Sequence, residues 1–346
     1  MTWSPGLAAD FFNLIVTAIL AAITACGASF GLIAVLRRLL APGLLTARIT
    51  DRSAHRHAAR QIGGLGVVPA ALVVTLVTVT LIGADGASLL GLAGGMIVLF
   101  ALGLADDLLD FGPTIKLPVQ VIAAGLAATG LDLGAGTLGG LPFPLAALLA
   151  VLVIVGFVNL VNFMDGLDLM SVAGAGTGLL FLGLLLLASG SVPAALCAIS
   201  LWAAIGGFAW HNRPPAAVFL GDSGSLPLGL AAGYLVLSAA GTIPLATAFL
   251  PFGYYLVDGV TTALLRLKAR ENIFRAHARH AYQHARRGGL GIWRIAGEVA
   301  CVTGLGGLAA FAHESSSNSI AWAATSAAWI AAAGLVFRFR RVRARE

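Results

Sequence analysis

Two adjacent carboxylates, Asp106 and Asp107, stand with Asp110 and Lys116 in the stretch LADDLLDFGPTIKLPVQ, residues 104–120, between two long apolar runs. Ionised neighbours of like sign repel, and burying them in or near a membrane is costly, so such a pair persists beside a cation or where one member holds a proton. A solvated loop accounts for a single Asp; a doublet at a helix end points to a site. In NLVNFMDGLDLM, residues 159–170, Asn159, Asn162, Asp165 and Asp168 recur every third residue. A helical turn puts these side chains on one stripe and supplies amide and carboxylate oxygens for a hard cation such as Mg²⁺. Helix capping explains one or two of the four. In VFLGDSGSLPLG, residues 218–229, Asp222 lies among Gly221, Ser223, Gly224 and Ser225, small residues that let a phosphate or metal approach the backbone. Just upstream, Asn212 and Phe219 carry the groups to hydrogen-bond and to stack on a base.

Basic segments complete the set. In RAHARHAYQHARRGG, residues 275–289, His277, His280 and His284 fall on one stripe of a helix, surrounded by Arg275, Arg279, Arg286 and Arg287. Three histidines suggest zinc, but the flanking arginines repel a cation and attract phosphate. A basic amphipathic helix on a membrane surface is the plainer reading, and it is compatible with a diphosphate clamp. Nearer the start, Arg52, His55, Arg56, His57 and Arg60 precede Gly63 and Gly64, a second basic cluster able to close over a phosphorylated ligand. For Arg56 and Arg60 an orientation signal is the simpler explanation. Phosphate chemistry with a divalent metal is the common cause that unites carboxylates, lysine, amides and both basic clusters.

The elements that must position these groups are apolar helices. The chain has 346 residues, 59% hydrophobic and only 10% charged, with 44 glycines and a mean hydropathy of +0.94. That excludes an ordinary soluble domain and fits an all-α polytopic membrane protein whose small residues let helices approach closely. Apolar windows predict eleven spans, roughly 11–36, 63–82, 88–105, 117–131, 142–160, 169–188, 193–210, 226–240, 245–265, 295–312 and 320–337. The start has no basic n-region, so 11–36 reads as a retained span. With an odd count, all 21 Lys and Arg fall on one side, which the positive-inside rule makes cytoplasmic, with the N-terminus outside and the C-terminus inside. A single integral membrane domain, 1–346, then presents its site on loops 37–62, 106–116, 160–168, 211–225 and 266–294. The pI near 9.8 suits anionic lipids and phosphorylated substrates, whereas nucleic acid is not expected as a partner. Cys26, Cys197 and Cys301 all fall inside apolar runs, without metal-ligand spacing or a disulfide framework.

In their order these motifs resemble the polyprenyl-phosphate N-acetylhexosamine-1-phosphate transferases, glycosyltransferase family 4, across about residues 45–290. LADDLLDFGPTIKLPVQ is similar to the family's Asp-Asp motif with its downstream Lys and Gln, and VFLGDSGSLPLG to its metal-binding G-D-x-G-S motif. NLVNFMDGLDLM resembles N-x-x-N-x-x-D-G-x-D-G, departing at Leu169, where Gly is usual. RAHARHAYQ resembles the H-R-x-H-x-Y-Q variant of the branch that initiates O-antigen and related glycans, with Ala278 as a departure. Arg52 to His55, followed by Gly63-Gly64, is similar to the first cytoplasmic loop.

The resemblance implies transfer of a sugar-1-phosphate from a UDP-N-acetyl-amino sugar to undecaprenyl phosphate in the bacterial inner membrane, with release of UMP. It implies Asp106 as base or positioning group beside Asp107, Lys116 orienting the site, and His277 and His280 at the diphosphate or sugar. Asp222, with Asn162, becomes the ligand set for Mg²⁺, or Mn²⁺ in its place. Asn159, Asp165 and Asp168 would hold the nucleotide sugar, Asn212 and Phe219 the uracil, and Arg52, His55, Arg275 and Arg279 the remaining charge. A homodimer is compatible with this reading. Its rivals are the muramoyl-pentapeptide transferase of the same fold and a lipid-linked-sugar or ion transporter. The HARHAYQ segment counts against the first; the gathering of polar groups at one membrane edge counts against the second.

Overall fold

A computed structural model describes residues 5–41, 43–47, 59–134, 138, 140–271, 277–315 and 318–342. Helices α1 (Pro5–Leu39), α2 (Gly63–Leu81), α3 (Ala87–Leu109), α4 (Pro113–Ala128) and α5 (Phe143–Met164) come first. A π-turn (Val172–Gly176) leads into α6 (Thr177–Ala188), followed by α7 (Val192–Asn212) and α8 (Asp222–Ala239). The short α9 (Leu245–Ala248) and α10 (Gly253–Lys268) share one apolar stretch; α11 (Ala281–Arg287), α12 (Ile292–Ser315) and α13 (Ser319–Arg340) complete the chain. Two-residue strands β1 (Arg60–Gln61) and β2 (Val218–Phe219) pair in parallel, Gln61 opposite Phe219.

The protein is thus an all-α, polytopic membrane protein. Each expected apolar window carries helix, but the windows are not equivalent. Eight described helices are long and apolar enough to cross a membrane, while Pro113–Ala128 and Val172–Ala188 are shorter. Helix α8 is the hub: almost every residue from Ser223 to Ala239 is buried, with α3 and α5 packed along it and α2 and α4 against it. Small residues permit this. A Cβ on Gly103 of α3 would come within 2.3 Å of the Asp222 backbone, and one on Gly64 of α2 within 2.3 Å of Gly224. The two helices therefore grip the start of α8 backbone to backbone, close packing that only glycine allows. Outward positions such as Leu81, Leu90, Ile97 and Ile330 remain exposed and apolar, as a lipid-facing surface requires.

Two sequence expectations are corrected. The stripe Asn159–Asn162–Asp165–Asp168 is broken, because α5 ends at Met164 and Asp165 is already its C-cap. Nor do His277, His280 and His284 share a helix face, since α11 begins at Ala281 with His280 as its N-cap. The expected loop residues Arg52, His55, Arg56, His57 and Arg275 lie outside the described residues.

Candidate active site

The Nζ of Lys116 lies 2.9 Å from Asp106 Oδ2 and 3.1 Å from Asp222 Oδ2. Local structure sets this up. Asp106 is in the last turn of α3, which Asp110 closes in a left-handed conformation (φ 59°) before Pro113 opens α4. Lys116 is thereby turned back toward the α3 end. Asp106 Oδ1 accepts from the Phe111 amide at 2.8 Å, which fixes its carboxylate within that turn. From the last turn of α5, Asn162 donates through Nδ2 to Asp222 Oδ1 and to Ser225 Oγ, both at 2.8 Å.

Asp107, one residue on, does something different. Its oxygens accept from the backbone N–H groups of Asp222 (2.9 Å) and Ser223 (3.1 Å) and from Gln61 Nε2 (3.3 Å). A carboxylate from α3 therefore caps α8, where it also meets the positive end of the helix dipole. This cap holds Asp222 in front of Lys116.

The remaining carboxylates are held by the loop after α5. Asp165 accepts from the Ser171 hydroxyl, and Asp168 Oδ2 from the Ala216 amide at 3.1 Å. Burial, and then the nearby charges of Asp222, Asp107 and Asp168, push the Asp165 carboxyl up to about 8 despite the Ser171 bond. Asn159 is turned away, donating to Gln120 Oε1 at 2.7 Å. Asn212 is buried, its Oδ1 accepting from the Leu169 amide (2.7 Å) and its Nδ2 donating to the Val218 carbonyl (2.9 Å). Both ends of that amide are thus committed to backbone, and Asn212 ties the 165–169 loop to the strand bearing Phe219, which is half-buried.

The histidine segment docks from the other side. His277 and His280 rings lie 4.9 Å apart, each with its centroid 6.3 Å from that of Phe163 on α5. The Tyr282 hydroxyl donates to the Phe163 carbonyl at 3.1 Å, fastening the segment next to Asn162. Burial, then the neighbouring His280, Arg266 and Arg279, hold the His277 imidazole down at about 4, so it is neutral near pH 7. Arg279 is ion-paired to Glu271.

Residues 89–240, which span the Asp-Asp, Asn/Asp and G-D-S-G-S segments, match the family model for glycosyl transferase family 4. Over that stretch the chain is similar to glycosyl transferase family 4. It is 35% identical over 202 residues to the undecaprenyl-phosphate alpha-N-acetylglucosaminyl 1-phosphate transferase of Thermotoga maritima, covering 57% of this chain and 62% of that one. It is 35% identical over 178 residues to the phospho-N-acetylmuramoyl-pentapeptide-transferase of Deinococcus radiodurans, 49% of this chain and 54% of the other. A probable undecaprenyl-phosphate N-acetylglucosaminyl 1-phosphate transferase of Bacillus subtilis is 29% identical over 194 residues, with 52% and 51% coverage. The chain thus spans between half and two thirds of the length of these curated relatives.

The likeness to that family gives Leu169 a meaning. It occupies the position where the motif usually has Gly, and its backbone is left-handed, φ 62°. A side chain with Cβ is disfavoured there by about 1–2 kcal/mol. Here the Leu169 side chain is buried and its amide is held by Asn212, contacts that offset the cost.

The resemblance also implies a divalent metal, and the donor set fits one. Among the described residues no three His, Cys, Asp or Glu converge to hold an ion by themselves. Mg²⁺, however, takes one or two carboxylates and completes its shell with water and substrate phosphate. Asp106 and Asp222, sharing one ammonium, meet that requirement with carboxylate oxygens, and Asn162 turns its amide nitrogen to Asp222.

Sequence reasoning missed the role of Asp258. This fully buried carboxylate of α10 accepts from the Ala281 amide at 2.9 Å through both oxygens, from Thr262 at 3.1 Å and from Tyr254 at 3.3 Å. Arg340 Nη2 is 3.3 Å away and His280 Nδ1 3.6 Å. Asp258 caps α11 from outside, as Asp107 caps α8, and so sets where His280 stands. The available signal was an Asp inside an apolar run.

Proposed function

We propose that this protein is a family 4 enzyme that transfers a sugar-1-phosphate from a UDP-N-acetyl-amino sugar, such as GlcNAc, QuiNAc or FucNAc, to undecaprenyl phosphate. The reaction would run at the cytoplasmic face of the bacterial inner membrane and begin an O-antigen or related envelope glycan. The observation that supports this most is the ammonium of Lys116 between Asp106 and Asp222. Three helix ends converge there on an acidic centre whose fixed cation among the described residues is Lys116, suited to phosphate transfer by positioning and charge neutralisation.

In this reading a phosphate oxygen of the lipid attacks the sugar-proximal β-phosphorus, the α–β phosphoanhydride breaks, and UMP leaves with the bridging oxygen. The lipid phosphate is already largely ionised near pH 7, so Asp106 acts chiefly by orienting it. Asp107 keeps Asp222 in place, and Lys116 offsets the charge that accumulates as three phosphates meet. Asp222 and Asn162 would hold Mg²⁺, or Mn²⁺, which would supply neutralisation of phosphate charge. Asp165 and Asp168 face the nucleotide sugar, with Asn159 holding the α4 side of that wall. Phe219 stacks on uracil, with Asn212 fixing its strand. Neutral His277, with His280, contacts the diphosphate or sugar; Arg52, His55 and Arg275 supply further positive charge, whereas Arg279 is committed to Glu271.

The test is a panel of radiolabelled UDP-sugars, UDP-N-acetylmuramoyl-pentapeptide included, given to purified protein with undecaprenyl phosphate. Labelled lipid diphosphate and UMP from an amino sugar are expected. Exclusive use of the pentapeptide nucleotide moves the assignment to the muramoyl enzyme, a reading favoured by relatives such as the Deinococcus protein. Uptake without any lipid product restores the transporter.

A further inference from the structure

A cavity of about 600 Å³ opens between the C-terminal ends of α10 and α13 and the segment from 278 to 287. Its walls carry Arg266, Arg279, Arg287 and Arg340, with His284 and Leu265. None of the helices that bear Asp106, Lys116, Asn162 or Asp222 contributes to it.

Its lining among the described residues is rich in positive charge. Among the described residues Glu271 pairs with Arg266 and Arg279, and the buried Asp258 with Arg340. Among the described residues the recess thus gathers four guanidiniums and two carboxylates, and Arg287 donates to a neutral acceptor, the Ala278 carbonyl, at 2.6 Å. Burial, and next the charges of Arg287 and Arg340, hold the His284 imidazole below its ordinary value. Basic residues at span ends can satisfy an orientation signal anywhere on a helix circumference; here they converge on one recess.

The recess lies where two membrane-crossing stretches end, Leu245–Lys268 and Ser319–Arg340. Apolar surface continues from its rim: Leu264, Leu265 and Leu267 on α10 and Phe337 on α13 are all exposed. Guanidiniums recognise phosphate oxygens, and exposed leucines beside them accommodate hydrocarbon. We infer that this cavity binds a phosphate group, specifically the phosphodiester headgroup of an anionic phospholipid, at a site separate from the Lys116 centre. The bound lipid neutralises the surplus charge and braces the segment that carries His277 and His280.

The experiment uses the full chain, delipidated in neutral detergent, titrated with phosphatidylglycerol, phosphatidylcholine or inorganic phosphate. Binding is read by native mass spectrometry and by thermal unfolding. Phosphatidylglycerol should bind at least ten-fold tighter than phosphatidylcholine and raise the unfolding temperature. Arg287→Gln should weaken that binding about five-fold, from roughly 1 kcal/mol per basic residue, and Arg287→Lys should retain most of it. The lipid-free unfolding temperature of both variants should match the parent, which separates lost binding from lost fold. Equal affinity for the two lipids, or an Arg287→Gln variant that binds as the parent does, overturns the site. Inorganic phosphate alone producing the full shift and displacing the lipid overturns the lipid assignment. None of these readouts uses sugar-phosphate transfer, so the result is independent of the proposed reaction.

Discussion

Two carboxylates of this chain cap helices that are not their own, and they are finished differently. Asp258 is closed to solvent and surrounded by protein donors: the Ala281 amide, two hydroxyls and Arg340. Asp107 also holds a helix start, but the carboxylates beside it, Asp106 and Asp222, share one lysine, and the Asp222 side chain remains 20% exposed. The first arrangement is complete as it stands. The second leaves negative charge facing an opening, which is what a site that must accept a cation and phosphates requires. Neutralisation by the protein, rather than carboxylate number, separates the structural node from the proposed reactive one.

The comparison breaks most directly at the open centre. Asp222→Asn and Asp106→Asn should each lower the transfer rate by at least two to three orders of magnitude, the scale seen when a fixed charge partner is removed from a phosphoryl-transfer site. Insertion and unfolding temperature should stay near parental values. Near-normal Mg²⁺-dependent rates in both variants would remove the acidic centre from the mechanism.

Next, the two caps should rank oppositely by stability and by activity. Asp258→Ala leaves Arg340 without its buried partner and should cost about 3–5 kcal/mol. Asp107→Ala removes cap bonds from α8 and should cost about 1–3 kcal/mol. Among molecules that do fold, the rate should fall further in the Asp107 variant, because Asp222 is carried on the helix it caps. Unfolding in detergent and rates per folded molecule decide this, and the same ranking in both measurements would erase the distinction.

A smaller effect is expected at Leu169. Leu169→Ala keeps the left-handed strain and loses the buried side chain, whereas Leu169→Gly loses the side chain but relieves the strain. Both should destabilise, with Gly the milder by about 1 kcal/mol. Equal losses would mean that the backbone there carries no cost.

The smallest prediction concerns pH. The folded His277 is held at about 4, below the ordinary value near 6.5. Folding therefore favours its neutral form, and this contribution is complete above pH 6.5 and is lost as pH falls from 6.5 toward 4. His277→Gln should flatten the stability profile in that window, and an unchanged profile would place the titration elsewhere.

Much was already legible in the linear chain. Runs of apolar residues long enough to cross a bilayer announce helices regardless of what packs on them, so the all-α membrane architecture followed from local composition. The segments around Asp106, Asn162, Asp222 and His277 were equally visible, because polar residues stand out against such runs. Packing decided the rest. Lys116 and Asp222 are 106 positions apart, and only the close approach of Gly103 and Gly64 to the start of α8 brings them to one point. The caps by Asp107 and Asp258 lie on backbone amides of distant helices, and a backbone amide has no residue type by which a sequence could reveal it. Nor could residue spacing show where α5 stops or where α11 starts, and those two ends turned both expected helical stripes into separate positions. Sequence thus determined which groups are present and which end of the bundle they share; desolvation and helix contact determined which of them remain neutralised and which stay open for chemistry.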